Sequence, residues 1–169
     1  MSRVLLDRSH IEPAVLGGAL LGGGGGGWIT DGTDWGTLAV SLGAPALITV
    51  DELPGDALLV TAAGVGAPAS PGRFARPVDF LRALELVMEA AHAPIAGIIA
   101  NENGAAATVN GWLQAAVFGI PVVDAPCNGR AHPSGLLGAM GLHRRPGSGG
   151  SAPPRSPCRP RGRPARRRP

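Results

Sequence analysis

Between residues 57 and 124 the chain alternates short apolar runs with longer stretches of helical period, and few folds accept that order. Residues 57–63 (ALLVTAA), 95–100 (IAGIIA) and 120–124 (IPVVD) are apolar runs of strand length. Residues 77–92 open with Pro77, suited to a first helical position, and repeat apolar residues at Phe80, Leu84, Val87 and Ala91. Residues 105–118 read as another helix, closed by Gly119. This order predicts right-handed crossovers and a parallel sheet. Strands without polar alternation are expected where helices cover both faces. The expected fold class is therefore α/β, a mostly parallel sheet covered by helices.

Upstream, Ser9 and Glu12 have capping-box spacing, so a helix is expected over 10–21. Ile11, Val15 and Ala19, joined by Leu16 and Leu20, approximate its apolar face. Six glycines at 22–27 must end it, since each costs about 1 kcal/mol in a helix relative to alanine. Residues 33–42 predict a second helix stopped by Gly43, 46–50 (ALITV) a strand, 51–56 (DELPGD) a turn, and 64–76 a Gly/Pro-rich loop.

Charge divides the chain in two. Residues 1–143 hold 6 Arg and 12 acidic residues, a balance of −6, whereas residues 144–169 hold 9 Arg and no acid. The later segment has no Leu, Ile, Val, Met, Phe or Trp, so it cannot bury enough surface to offset ordering entropy. Residues 1–143 are expected to form the domain and 144–169 a disordered tail. All 15 basic residues are Arg, Tyr is absent and Gly reaches 27, which points to a GC-rich gene. A shifted frame or truncation near residue 144 would produce such a tail. A nucleic-acid-binding arm ranks last, because no aromatic residue interleaves the arginines for base stacking. Cys127 and Cys158 make no disulfide framework. Asp7, Arg8, His10 and Glu12 interrupt any signal-peptide core, and no apolar run reaches the roughly 18 residues of a membrane span. A cytoplasmic protein is expected.

Three segments carry candidate chemistry. The glycine run lets backbone N–H groups converge on an anion or carbonyl, with Gly24, Gly25 and Gly26 as candidate contacts, or else it is a tightly packed turn. It follows a helix and lacks the Lys-Ser/Thr of a Walker loop, so it names no cofactor. The second segment is Asn101-Glu102-Asn103-Gly104, between a strand and a helix, where open α/β sheets bind ligands. Glu102 is a candidate general base, and Asn101 and Asn103 are candidates to orient a polar ring; a helix cap is the plainer reading. The third follows the next strand: Asp124, a candidate catalytic carboxylate, then Asn128 and Arg130 as candidate ligand contacts, against a turn and a surface ion pair. Cys127 and His132 are too few to make a metal site, and Cys127 reads better as a small buried residue. His10, His92 and His143 have no partner pattern.

ALLGGGGGG, VDELPGDALLV, VGAPAS, the N-E-N-G loop and FGIPVVDA with GRAHP, in that order over residues 10–143, resemble the S-methyl thiohydantoin desulfurase family. That family is associated with hydantoinase/oxoprolinase proteins. The resemblance implies an α/β N-terminal domain, followed in full-length members by a strand-rich one. It implies a hydantoin-like substrate from which water displaces a methylthio group, releasing methanethiol. For that reaction Glu102 and Asp124 are the candidate bases, and the glycine-loop amides and Arg130 are the candidates to hold the ring. A non-catalytic module of a hydantoinase-type complex is the alternative, and self-association is open. Cys127 departs from the family pattern, which argues against a shared cysteine mechanism.

Overall fold

The computed structural model describes residues 3–64, 70, 72, 75–125 and 127–131. His132, His143 and the whole segment 144–169 with Cys158 lie outside the described residues, as does most of the loop expected over 64–76.

The N-terminal strand β1 (Val4–Leu5) leads to a 3-10 turn at Arg8–His10 and then α1 (Ile11–Leu21). The Ser9–Glu12 box does not form. Asp7 caps instead, accepting the Ser9 backbone N–H at 2.8 Å and the Ser9 hydroxyl at 2.6 Å. Those Ser9 bonds hold the Asp7 carboxyl below its ordinary value of 3.8. The Arg76 guanidinium does the same for Asp79 at the start of α3 (Pro77–Ala90). Both carboxylates add stability above pH 3.8 and lose that contribution as pH falls through their lowered values.

Helix α2 (Ile29–Leu42) begins soon after the glycines, four residues earlier than expected, and Gly43 ends it. The remaining elements are β2 (Ala46–Ile48), β3 (Leu58–Ala62), β4 (Ile95–Ala100), α4 (Trp112–Phe118) and β5 (Val122–Val123). The helix expected over 105–118 is split. A 3-10 turn covers Ala107–Val109, and Gly111 takes a left-handed φ of 94° before α4 begins. A Cβ at Gly111 would stand 2.7 Å from Ile98 Cγ2, so the break sets the chain down on β4.

The five strands lie in the order β1-β2-β5-β4-β3. Only β1 runs antiparallel; β2, β5, β4 and β3 are mutually parallel. This is an α/β fold with a mostly parallel sheet. Leu47, Val122, Ile98 and Val60 align across neighbouring strands and enter the main core. That core draws Ile11 and Val15 from α1, Ala39 from α2, Leu84 from α3 and Trp112, Leu113 and Ala115 from α4.

The opposite row, Ile48, Val123 and Ile99, packs with Cys127, Leu53, Leu59 and Ala125. All four helices thus feed the core on one face, and among the described residues the other face is covered by turn and loop residues. Among the described residues, the expected helical cover is thus seen on one face of the sheet. Two helical faces also differ from expectation. Leu16 and Leu20 are 48% and 81% exposed, because Gly18 takes the inward place on α1. Val87 is 45% exposed, because the buried stripe of α3 runs through Phe80, Leu81 and Leu84. Phe80 meets Trp35 of α2 edge to face, with ring centroids 4.9 Å apart. No helix among the described residues is long and apolar enough to cross a membrane.

Candidate functional site

The glycine run leaves α1 and folds back onto the N-E-N-G loop. The Gly22 N–H donates to the Gly18 carbonyl at 2.8 Å, and the Gly23 N–H to the Leu20 carbonyl at 3.2 Å. The Gly26 carbonyl then accepts both the Ala106 and Ala107 N–H groups, at 2.9 and 2.8 Å, and so caps the 3-10 turn that follows. At Gly26, φ is +78° and a Cβ would stand 2.5 Å from Gly104 Cα. A Cβ on Gly104 would in turn run into Gly26 Cα. The two backbones touch, and no side chain fits between them. Gly104→Ala is therefore expected to destabilise the fold by at least about 1–3 kcal/mol, read as a lower urea midpoint. A midpoint equal to that of the parent chain would mean the contact is loose.

Residues 127–131 run beside the ends of β4 and the N-E-N-G loop. The Cys127 N–H donates to the Ala100 carbonyl (3.1 Å), the Asn128 N–H to the Asn101 carbonyl (2.8 Å) and the Asn103 N–H to the Gly129 carbonyl (2.7 Å). Asn103 and Arg130 pair as a parallel bridge. This places the Arg130 guanidinium over Gly23, its Nη2 3.1 Å from where a Cβ would stand. A cation there complements the carbonyl end of α1. The Asn101 side-chain oxygen accepts from Asn110 Nδ2 at 3.2 Å, and Thr108 Oγ1 accepts the Gly104 N–H at 3.2 Å.

A cavity of about 280 Å³ opens at the carboxyl ends of β4 and β5, on the side of the sheet that carries α1. Gly17 and Gly18 of α1, Leu47, Trp112 and Val122 form apolar walls, and Asn103, Thr108 and Asp124 supply polar groups. The Asp124 N–H is anchored to the Ile48 carbonyl at 2.8 Å. Its carboxylate is exposed and makes no hydrogen bond or ion pair among the described residues. A bound small molecule would thus meet apolar faces and a hydrogen-bonding rim, the usual make-up of a small-molecule site.

The family described as S-Me-THD-like, N-terminal domain, matches residues 9–151. The chain belongs to this family. The S-Me-THD-like domain is also similar to the crystal structure of a protein from Chromobacterium violaceum, at 28% identity and a TM-score of 0.62. That likeness covers 79% of this chain and 37% of the other, so the chain spans well under half of its solved relative. No curated protein matches the chain.

Within this S-Me-THD-like domain the predicted site residues separate. Asn103 and Asp124 line the cavity together; Glu102, Asn101, Asn128 and Arg130 are not among its lining residues. Gly24 faces open space, whereas Gly25 and Gly26 turn toward Ala131 and Gly104. Cys127 is buried on the opposite face of the sheet, its Sγ 3.1 Å from Thr61 Oγ1. Among the described residues no three His, Cys, Asp or Glu side chains gather as a metal site would need. Sequence reasoning missed Gly17, Gly18, Thr108 and Trp112. The signal that was there to find is the Gly17-Gly18 pair inside a helix, where glycine has no intrinsic reason to sit.

Proposed function

We propose that this domain supplies the ring-binding half of an enzyme that hydrolytically removes a methylthio group from a hydantoin-like ring. The observation that carries the reading is the Asp124 carboxylate, free at the rim of a small apolar cavity in a chain of this family. Asp124 takes a proton from water as the water oxygen bonds to the ring carbon bearing sulfur. Charge builds on the ring nitrogen, and a hydrogen bond from the Asn103 amide at the cavity wall stabilises it. The carbon–sulfur bond then breaks, the proton passes to the departing thiolate, and methanethiol and a hydantoin result. Glu102 lies off the cavity, so Asp124 is the better base of the two.

The solved relative is far longer than the matched part, and ligand clefts often lie between domains. The test is methanethiol release from a 2-methylthio-hydantoin by this chain, alone and joined to the remainder of the Chromobacterium violaceum protein. Equal yields of methanethiol and hydantoin from the joined protein are expected. If both proteins fold and neither releases the thiol, the reading is lost.

A second reading, a non-catalytic module that assembles with a hydantoinase/oxoprolinase-type protein, draws on the apolar surface of Leu16, Leu20, Leu21 and Trp28, all exposed. Leu20 contributes little to the domain's own core at 81% exposure. Leu20→Glu is expected to shift stability by no more than about 0.5 kcal/mol by urea titration while raising solubility. A larger loss would mean that Leu20 is covered by the chain itself.

A further inference from the structure

Among the described residues the buried side chains are apolar with one exception, Gln114, the third residue of α4, which is 6% exposed. A glutamine amide brings two N–H donors and an acceptor oxygen. That of Gln114 makes no hydrogen bond among the described residues. Buried polar groups are satisfied by protein or by ordered water, so this amide needs a partner. A niche of about 20 Å³ adjoins it, where α2, α3 and the start of α4 meet. Trp35 and Phe80 form its aromatic wall, and Asn110 and Gly111 lie beside Gln114. The niche shares no lining residue with the cavity at Asp124.

We propose that this niche is a site for a single water molecule, which bridges the side-chain amides of Gln114 and Asn110. Its volume fits one water, which requires about 10–15 Å³, and leaves little for anything larger. Asn110 Nδ2 already donates to Asn101 Oδ1 at 3.2 Å, which leaves Asn110 Oδ1 to accept. The water accepts from Gln114 Nε2 and donates to Asn110 Oδ1, so it has the two polar partners that a buried water needs. A chain of hydrogen bonds then runs from α4 through the water and Asn110 to Asn101, just past the end of β4. The Asn101 N–H is held by the Ala62 carbonyl at 3.1 Å, and its carbonyl accepts the Asn128 N–H. The water therefore ties the helix to the loop that carries Asn103. This site does not depend on the ring chemistry proposed above.

The test is NMR of the whole isotope-labelled chain in water. Nuclear Overhauser cross-peaks are expected between a long-lived water and the side-chain amide protons of both Gln114 and Asn110. No hydroxyl side chain lines the niche, so exchange with solvent has no relay there. Gln114→Met keeps the length of the side chain and removes its amide. In that variant the Asn110 cross-peak should be lost and the urea midpoint should fall. Absence of a water cross-peak at Gln114 in the parent chain overturns the site. A cross-peak at Gln114 without one at Asn110 overturns the bridge. A higher midpoint in Gln114→Met also overturns the site, since the amide would then have been buried without a partner. The parent spectra decide the matter even where Gln114→Met does not fold.

Discussion

Asp124→Asn is expected to cut methanethiol release by the joined protein about 10²–10⁴-fold, the usual contribution of a positioned general base. The asparagine keeps the size and the hydrogen-bonding reach of the side chain but cannot accept a proton from water. Stability should not follow activity down. The structural work of residue 124 is done by its backbone N–H on the Ile48 carbonyl, and the exposed carboxylate holds nothing else among the described residues. Initial rates of thiol release, set beside urea midpoints of the same preparations, separate the two effects. A loss under tenfold would remove Asp124 as the base, and Glu102→Gln would then be the variant to measure.

Trp112→Ala is expected to cost about 3–5 kcal/mol, a large share of the roughly 5–15 kcal/mol that holds a domain together. Trp112 is only 4% exposed and opens α4 directly after the left-handed Gly111. One side belongs to the main core, and another forms a wall of the cavity. Truncation leaves a hole that extends a space already present, so the surroundings have little with which to collapse. Urea denaturation gives the number, and Trp112→Phe should recover most of it. A loss below about 1 kcal/mol would mean that the indole is not part of the core.

The fold was largely readable in the chain because its signals are local. Pro77 begins α3, Gly119 closes α4, and 95–100 is a strand to the residue. The errors fall where tertiary contact overrides local pattern. Gly18 has no side chain to register in a search for apolar period, yet it takes the inward place that Leu16 and Leu20 were expected to share. Gly111 breaks a segment of good helix formers because the chain must approach Ile98. Strand β1 is two residues long, too short for any periodic signal.

The site was legible only in part, for a related reason. Residues at strand ends announce themselves by chemistry, so Asn103 and Asp124, which line the cavity, stood out in the sequence. The walls come from helical glycines and a core tryptophan, whose part in the cavity exists only once α1 lies over the sheet. The glycine run, the loudest feature of the sequence, is largely accounted for by backbone packing against Gly104 and Ala106.

The middle strand of this sheet is the last in sequence among the described residues. During synthesis β1 pairs with β2, and β3 with β4, but nothing links the two pairs until β5 arrives. From Ile48 to Val123 a ribosome working at about 5–20 residues per second needs roughly 4–15 s. Through that interval the inner edge of β2 is unpaired and apolar, and so is that of β4 once residue 100 has been made. Messages stalled before codon 123 are thus expected to yield a product prone to aggregation rather than a smaller stable domain.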